Sequence, residues 1–153
     1  MSASRTTGPI SPPLETGPRD GDLPAYVRNG LTGLRVRENP LRTGLCLVNG
    51  VVGEHPERRI EAAAVCPYPL AGDIALDDVW VGEALTGVSD LRQDYDFATG
   101  ELTSGFRFTT GAAEARVEIV TFASRTAPAI VLQETTVEVS APCRLTLRAI
   151  VDT

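Results

Sequence analysis

"DYDFATGELTSGFRFTT", residues 94–110, decides the class of this chain. From Leu102 onward, Leu102, Phe106 and Phe108 share one parity, while Glu101, Thr103, Arg107 and Thr109 take the other. A period of two places alternate side chains on opposite faces of a strand. Upstream of it, Gly100 supplies the positive φ that a three-residue hairpin loop needs. The stretch reads as a strand, a tight turn and a second strand with one apolar face.

The same pattern extends in both directions. In "DIALDDVWVG", residues 73–82, a hairpin about Asp77-Asp78 sets Leu76 opposite Val79 and Ile74 opposite Val81. That register makes one face wholly aliphatic and puts Trp80 on the other. "RVEIVTFAS" is apolar on both parities near Ile119 to Phe122, which predicts cover on both faces. "APAIVLQETTVEVS" is rich in β-branched residues and predicts one long strand from Ile130 to Val139. In "CRLTLRAIVD", Leu145, Leu147, Ala149 and Val151 face one way and Arg144, Thr146 and Arg148 the other. No window carries a sustained helical period with caps. The expected class is all-β, an antiparallel β-sandwich.

Composition bounds the rest. The chain has 153 residues, 42% hydrophobic and 22% charged, with a net charge of -6. That suits one domain with a real core. Clustered Lys and Arg, which a phosphate backbone would want, are missing, so no nucleic acid partner is expected. No run approaches the roughly 18 apolar residues of a membrane span, so no membrane partner is expected either. Residues 1–22 hold four prolines and three glycines and read as a disordered leader. They lack the apolar core of a signal peptide, and a cytoplasmic address follows. Residues 23–153 read as one β-sandwich domain without internal repeat.

Candidate chemistry is sparse. Cys46, Cys66 and Cys143 are too far apart in sequence for a metal-ligand pair and read as small buried hydrophobes. His55 is the single histidine, in the polar loop "GEHPERR". The carboxylates Asp73, Asp77, Asp78, Asp94, Asp96, Glu101, Glu118 and Glu134 read as solvated or turn residues. A glycosidase needs two carboxylates flanking a sugar, and sequence alone pairs none of these in space. No nucleophile elbow, phosphate-binding glycine loop or metal cluster is visible. The expectation is no catalytic residue, no metal and no cofactor within this chain.

Four segments in order carry a family resemblance: "LPAYVRNGLTGLRV", "LCLVNGVVGEHPE", "PYPLAGDIALDDVWV" and "LRQDYDFATGELTSGFRF". Together they resemble the N-terminal domain of glycoside hydrolase family 65. That family includes trehalose, maltose and kojibiose phosphorylases and acid trehalases. Its best markers here are Asn29, Gly30 and Gly33, and "VNG" at Val48 to Gly50. The "LVNGVVGEHPE" region is more similar to the hydrolase-like branch. The resemblance implies a galactose-mutarotase-like supersandwich, incomplete at this length and cut before the (α/α)6 barrel that carries the family's catalytic glutamate. It implies an α-glucoside or disaccharide as the ligand of the whole enzyme, reached through that missing barrel, and a homo-oligomer built partly by the sandwich. The implied cleft-edge residues are Asn29, Gly30, Asn49 and Trp80. For Asn29-Gly30 a tight turn and a cleft edge are both open and compatible. For Trp80 the choices are a sugar-stacking face or packing between sheets. Two other functions compete with the accessory domain: a stand-alone carbohydrate-binding module and a structural or oligomerisation domain. Aromatic residues are only 5% of the chain, which argues against the module. A sandwich cut short would leave strand edges open to self-association, first of all along Leu145 to Val151.

Overall fold

The computed structural model describes residues 25–55, 57–111 and 113–152. The expected leader, residues 1–22, lies outside them. Eleven strands follow in chain order: β1 (Ala25–Arg28), β2 (Thr32–Val36), β3 (Leu45–Glu54), β4 (Glu61–Cys66), β5 (Tyr68–Leu76), β6 (Val79–Trp80), β7 (Val88–Asp96), β8 (Glu101–Thr109), β9 (Glu114–Ala123), β10 (Val131–Val139) and β11 (Leu145–Asp152). One 3-10 turn, Leu85–Gly87, is the only helical element among the described residues. The protein is all-β.

All pairings are antiparallel and build three sheets, ordered β1-β2-β3-β4, β10-β9-β8-β7 and β11-β5-β6. The β10-β9-β8-β7 sheet is a shared floor. Strand β8 shows how one sequence serves two roofs. Its inward residues Leu102, Ser104, Phe106 and Phe108 are all buried. Leu102 packs under the first sheet with Val27, Leu34 and Val36. Phe106 and Phe108 pack under the third with Ile74, Leu76 and Val81. Burying side chains of this size stabilises by about 1.5–3 kcal/mol each.

Turn chemistry sets the registers. Asp77 and Asp78 have φ of 48° and 69°, the left-handed pair of a type I′ hairpin, and Leu76 stands opposite Val79 as the alternation requires. The Val81 N–H donates to the Ile74 carbonyl at 2.9 Å, extending that register by one pair. Gly100 has the expected positive φ, +79°. The loop it closes differs: Asp96 pairs with Glu101, so four residues, not three, span the turn. The Asp96 carboxylate accepts the Ala98 N–H at 2.7 Å and adds a residue to the bend. The long strand begins at Val131, one residue later than expected. On β9, Val117, Ile119 and Thr121 are buried, whereas Val120 and Phe122 are half-buried.

Candidate functional site

Asn29-Gly30 forms the β1–β2 turn. Gly30 has φ +96°, a left-handed conformation open to glycine without strain. The Asn29 side-chain oxygen accepts the N–H groups of Leu31 (3.0 Å) and Thr32 (2.9 Å). Its amide nitrogen donates to the Ser124 carbonyl at 2.6 Å and the Pro128 carbonyl at 2.9 Å. Thr32 Oγ1 donates to the same Pro128 carbonyl at 3.1 Å. Asn29 is thus a turn residue that also fastens the first sheet to the β9–β10 connection.

The second marker meets the first. On β3 the Asn49 N–H donates to the Leu31 carbonyl at 2.7 Å, and its side-chain amide reaches the Gly30 carbonyl at 3.4 Å. Gly50 follows with φ +86°. Between these turns lies a shallow hollow of about 390 Å³, lined by Gly30, Thr32, Leu47, Asn49, Val52 and Ala63 among others. Asn49 is exposed at its rim, whereas Asn29 is half-buried.

Trp80 is elsewhere. It pairs with Ala75 across β5–β6, half-buried, with the Arg148 guanidinium 4.2 Å from its ring centre. Arg148 Nη2 lies 2.9 Å from Asp73 Oδ2, while Asp73 Oδ1 accepts the N–H groups of Ile74 (2.9 Å) and Gly82 (3.1 Å). The ring face is occupied by a cation, which stabilises the pair by about 0.5–2 kcal/mol. Asp73 was expected to be solvated; it is 5% exposed. Burial is tolerated because Arg148, directly opposite on β11, and two backbone N–H groups satisfy it.

Asp73 also lines a cleft of about 830 Å³, whose polar wall comes from Arg37, Glu38, Asn39 and Arg42 and whose floor includes Leu41 and Val81. The loop is shaped locally: Asn39 Oδ1 accepts the Leu41 N–H at 3.1 Å, and the Arg37 Nε donates to the Thr43 carbonyl at 2.9 Å. Sequence reading passed over this loop; its one signal is "RENPLR", three charged residues around an Asn-Pro turn. The cleft is large enough for a small polar ligand.

His55 and the cysteines make local contacts. His55 Nδ1 accepts the Glu57 and Arg58 N–H groups (3.3 and 3.2 Å), closing its own loop. Cys46 and Cys66 stand opposite each other on β3 and β4, and all three cysteines are free thiols. Burial, and then Cys66, push the Cys46 thiol up from its ordinary range. Burial, and then Cys46, push the neighbouring Tyr68 phenol up to about 12. Among the described residues no group of three His, Cys, Asp or Glu side chains could hold a metal ion, and no helix is long and apolar enough to cross a membrane. No family model matches the chain, and no curated protein matches it.

Proposed function

We propose that this chain is an accessory β-sandwich domain of a cytoplasmic, α-glucoside-cleaving enzyme of the glycoside hydrolase family 65 type, shaping the rim of a sugar cleft and supplying no catalytic group. One observation carries the reading: Asn29-Gly30 and Asn49-Gly50, separate markers in the sequence, meet across 3.4 Å at the edge of one hollow. The all-β antiparallel architecture supports it. The three free thiols fit a reducing compartment. The occupied Trp80 face argues against a stand-alone module built on that ring, because stacking needs a bare aromatic surface.

Three measurements test the proposal. Reading the coding DNA beyond Thr153 should reveal an in-frame (α/α)6 barrel; a stop codon there overturns it. The chain itself should release no glucose from trehalose, maltose, kojibiose or nigerose, with or without phosphate. Release above a buffer blank that disappears on changing a carboxylate of this chain would also overturn it. In a barrel-containing protein, Asn49→Ala should raise KM or lower kcat with the fold intact, because Asn49 is exposed and, among the described residues, makes one long side-chain bond.

A further inference from the structure

Two strand edges lie open at the same end of the sandwich. Among the described residues, β10 pairs only with β9, and β11 only with β5. Antiparallel ladders alternate, so the residues bonded to one neighbour turn their N–H and C=O away from the other side. The Ser124 N–H donates to the Ile130 carbonyl and the Ser140 N–H to the Glu114 carbonyl, so the even-numbered residues of β10 bond to β9. The Asp77 N–H donates to the Arg144 carbonyl, so the even-numbered residues of β11 bond to β5. The odd-numbered residues of both strands therefore present their backbone groups outward.

Those odd residues also carry the core-facing side chains. Leu145 and Leu147 stand beside the buried Leu76 and Ile74, yet are 40% and 58% exposed. Val131 and Val137 lean on the two core clusters from the other layer. An open hollow of about 340 Å³ separates the strands, bounded by Ile74, Gln133, Thr135 and Leu147. Neither strand places a charge on its inward face between Val131 and Val137 or between Leu145 and Ala149.

The two edges match each other. Setting β11 antiparallel to β10 with Leu147 opposite Thr135 puts Arg144 opposite Glu138, Arg148 opposite Glu134, Thr146 opposite Thr136 and Ile150 opposite Leu132. Both carboxylates of β10 then meet an arginine, on the solvent face, and Leu145 meets Val137 on the core face. We propose that a second copy of this chain closes this end, β11 of each copy pairing with β10 of the other. One two-fold axis along the strands, midway between the layers, makes both joins at once and is closed. It carries the upper layer of one copy into the lower layer of the other, so the core faces remain continuous. Arg144 and Arg148 already hold Asp78 and Asp73. A guanidinium has five donors and can bridge a second carboxylate. The pairing competes with the carbohydrate reading, under which chain beyond Thr153 would supply the strands that cover these edges.

The test is the mass of the chain in solution, by sedimentation, with folding checked by circular dichroism. The wild-type chain is expected to be a dimer. Glu138→Arg and Arg144→Glu should each weaken it by about tenfold, since both joins then oppose like charges. Mixing the two variants should restore the dimer, because each join of the mixed pair again sets Arg against Glu. Thr135→Pro removes an outward N–H while sparing the ladder to β9, and should also give monomer. A wild-type monomer, variants that dimerise as tightly as wild type, or a mixture that stays monomeric overturns the proposal. A monomer also covers the case in which the two edges close within one chain. Should a charge variant fail to fold, Thr135→Pro decides alone.

Discussion

The Asn29 side-chain nitrogen lies 2.6 Å from the Ser124 carbonyl oxygen, across 95 residues of chain. That bond, with its companion to Pro128, is one polar fastening between the first sheet and the β9–β10 connection. Asn29→Ala removes two donors from backbone carbonyls and two acceptor contacts from the turn. A loss of about 2 kcal/mol is expected in urea unfolding, more than an ordinary turn asparagine would show. Asn29→Asp should recover the turn part only. An Ala variant with the wild-type midpoint would reduce Asn29 to a surface residue.

Gly30 tests backbone conformation free of crowding. A Cβ placed there meets nothing within 4 Å, so only the φ of +96° opposes substitution. Gly30→Ala should destabilise by about 1 kcal/mol, and Gly30→Val by more, since a β-branched residue fits left-handed backbone worst. Equal unfolding midpoints for the two variants would contradict that account.

Arg148→Met keeps the aliphatic stem and removes the guanidinium from both Asp73 and Trp80. Arg148 is half exposed, so solvent screens much of the loss; about 1–2 kcal/mol is expected. Trp80 is the only tryptophan, which gives the site its own optical readout. The emission maximum should move in the folded Met variant and stay in Arg148→Lys only if an ammonium can replace the stacked plane. An unchanged spectrum with Met would mean that the stack is not populated in solution.

Tyr68 predicts alkaline sensitivity. Its hydroxyl is buried and finds no hydrogen-bond partner among the described residues. With the folded pKa at about 12 and the ordinary value near 10, the folded state favours the neutral phenol. Its share of stability is intact below about pH 10 and is lost as pH rises toward 12, about 2–3 kcal/mol in all. Tyr68→Phe should remove that part of the alkaline decline and cost nothing at neutral pH, because no bond is broken. The comparison is an unfolding series of both proteins across alkaline pH. Parallel declines would place the titrating group elsewhere.

Much of the fold was legible because its signals are local. The Asp77-Asp78 hairpin follows from two small polar residues flanked by aliphatic alternation, and both the register and the buried Ile74-Leu76-Val81 face match it. Strand β10 differs by one residue at its start. The half-buried side of β9 shows the limit: an apolar run does not say whether a second layer covers it. The site was less legible for a related reason. The partners of Asn29 are backbone carbonyls of Ser124 and Pro128, and any residue type supplies a carbonyl. Asp73 resembled its solvated neighbours because the Arg148 that neutralises it stands 75 positions away. Asn49 meets Gly30 at one hollow, a meeting that no spacing in the sequence announces, and Trp80 is not among the residues that line it.

The β5–β11 ladder also imposes an order of events during synthesis. The β5–β6 hairpin can close by itself as it leaves the ribosome, since its turn and its pairs are local. Its other edge waits for a strand some 75 residues further on, during which Ile74 and Leu76 have the floor strands β8 and β9 to shelter against but no covering neighbour at their side. Distant pairings of this kind slow folding and lengthen the time that a sticky edge is available to other nascent chains. A codon-level slowdown between β9 and β11 would prolong that interval, and yield of soluble protein should then fall without any change in the amino-acid sequence.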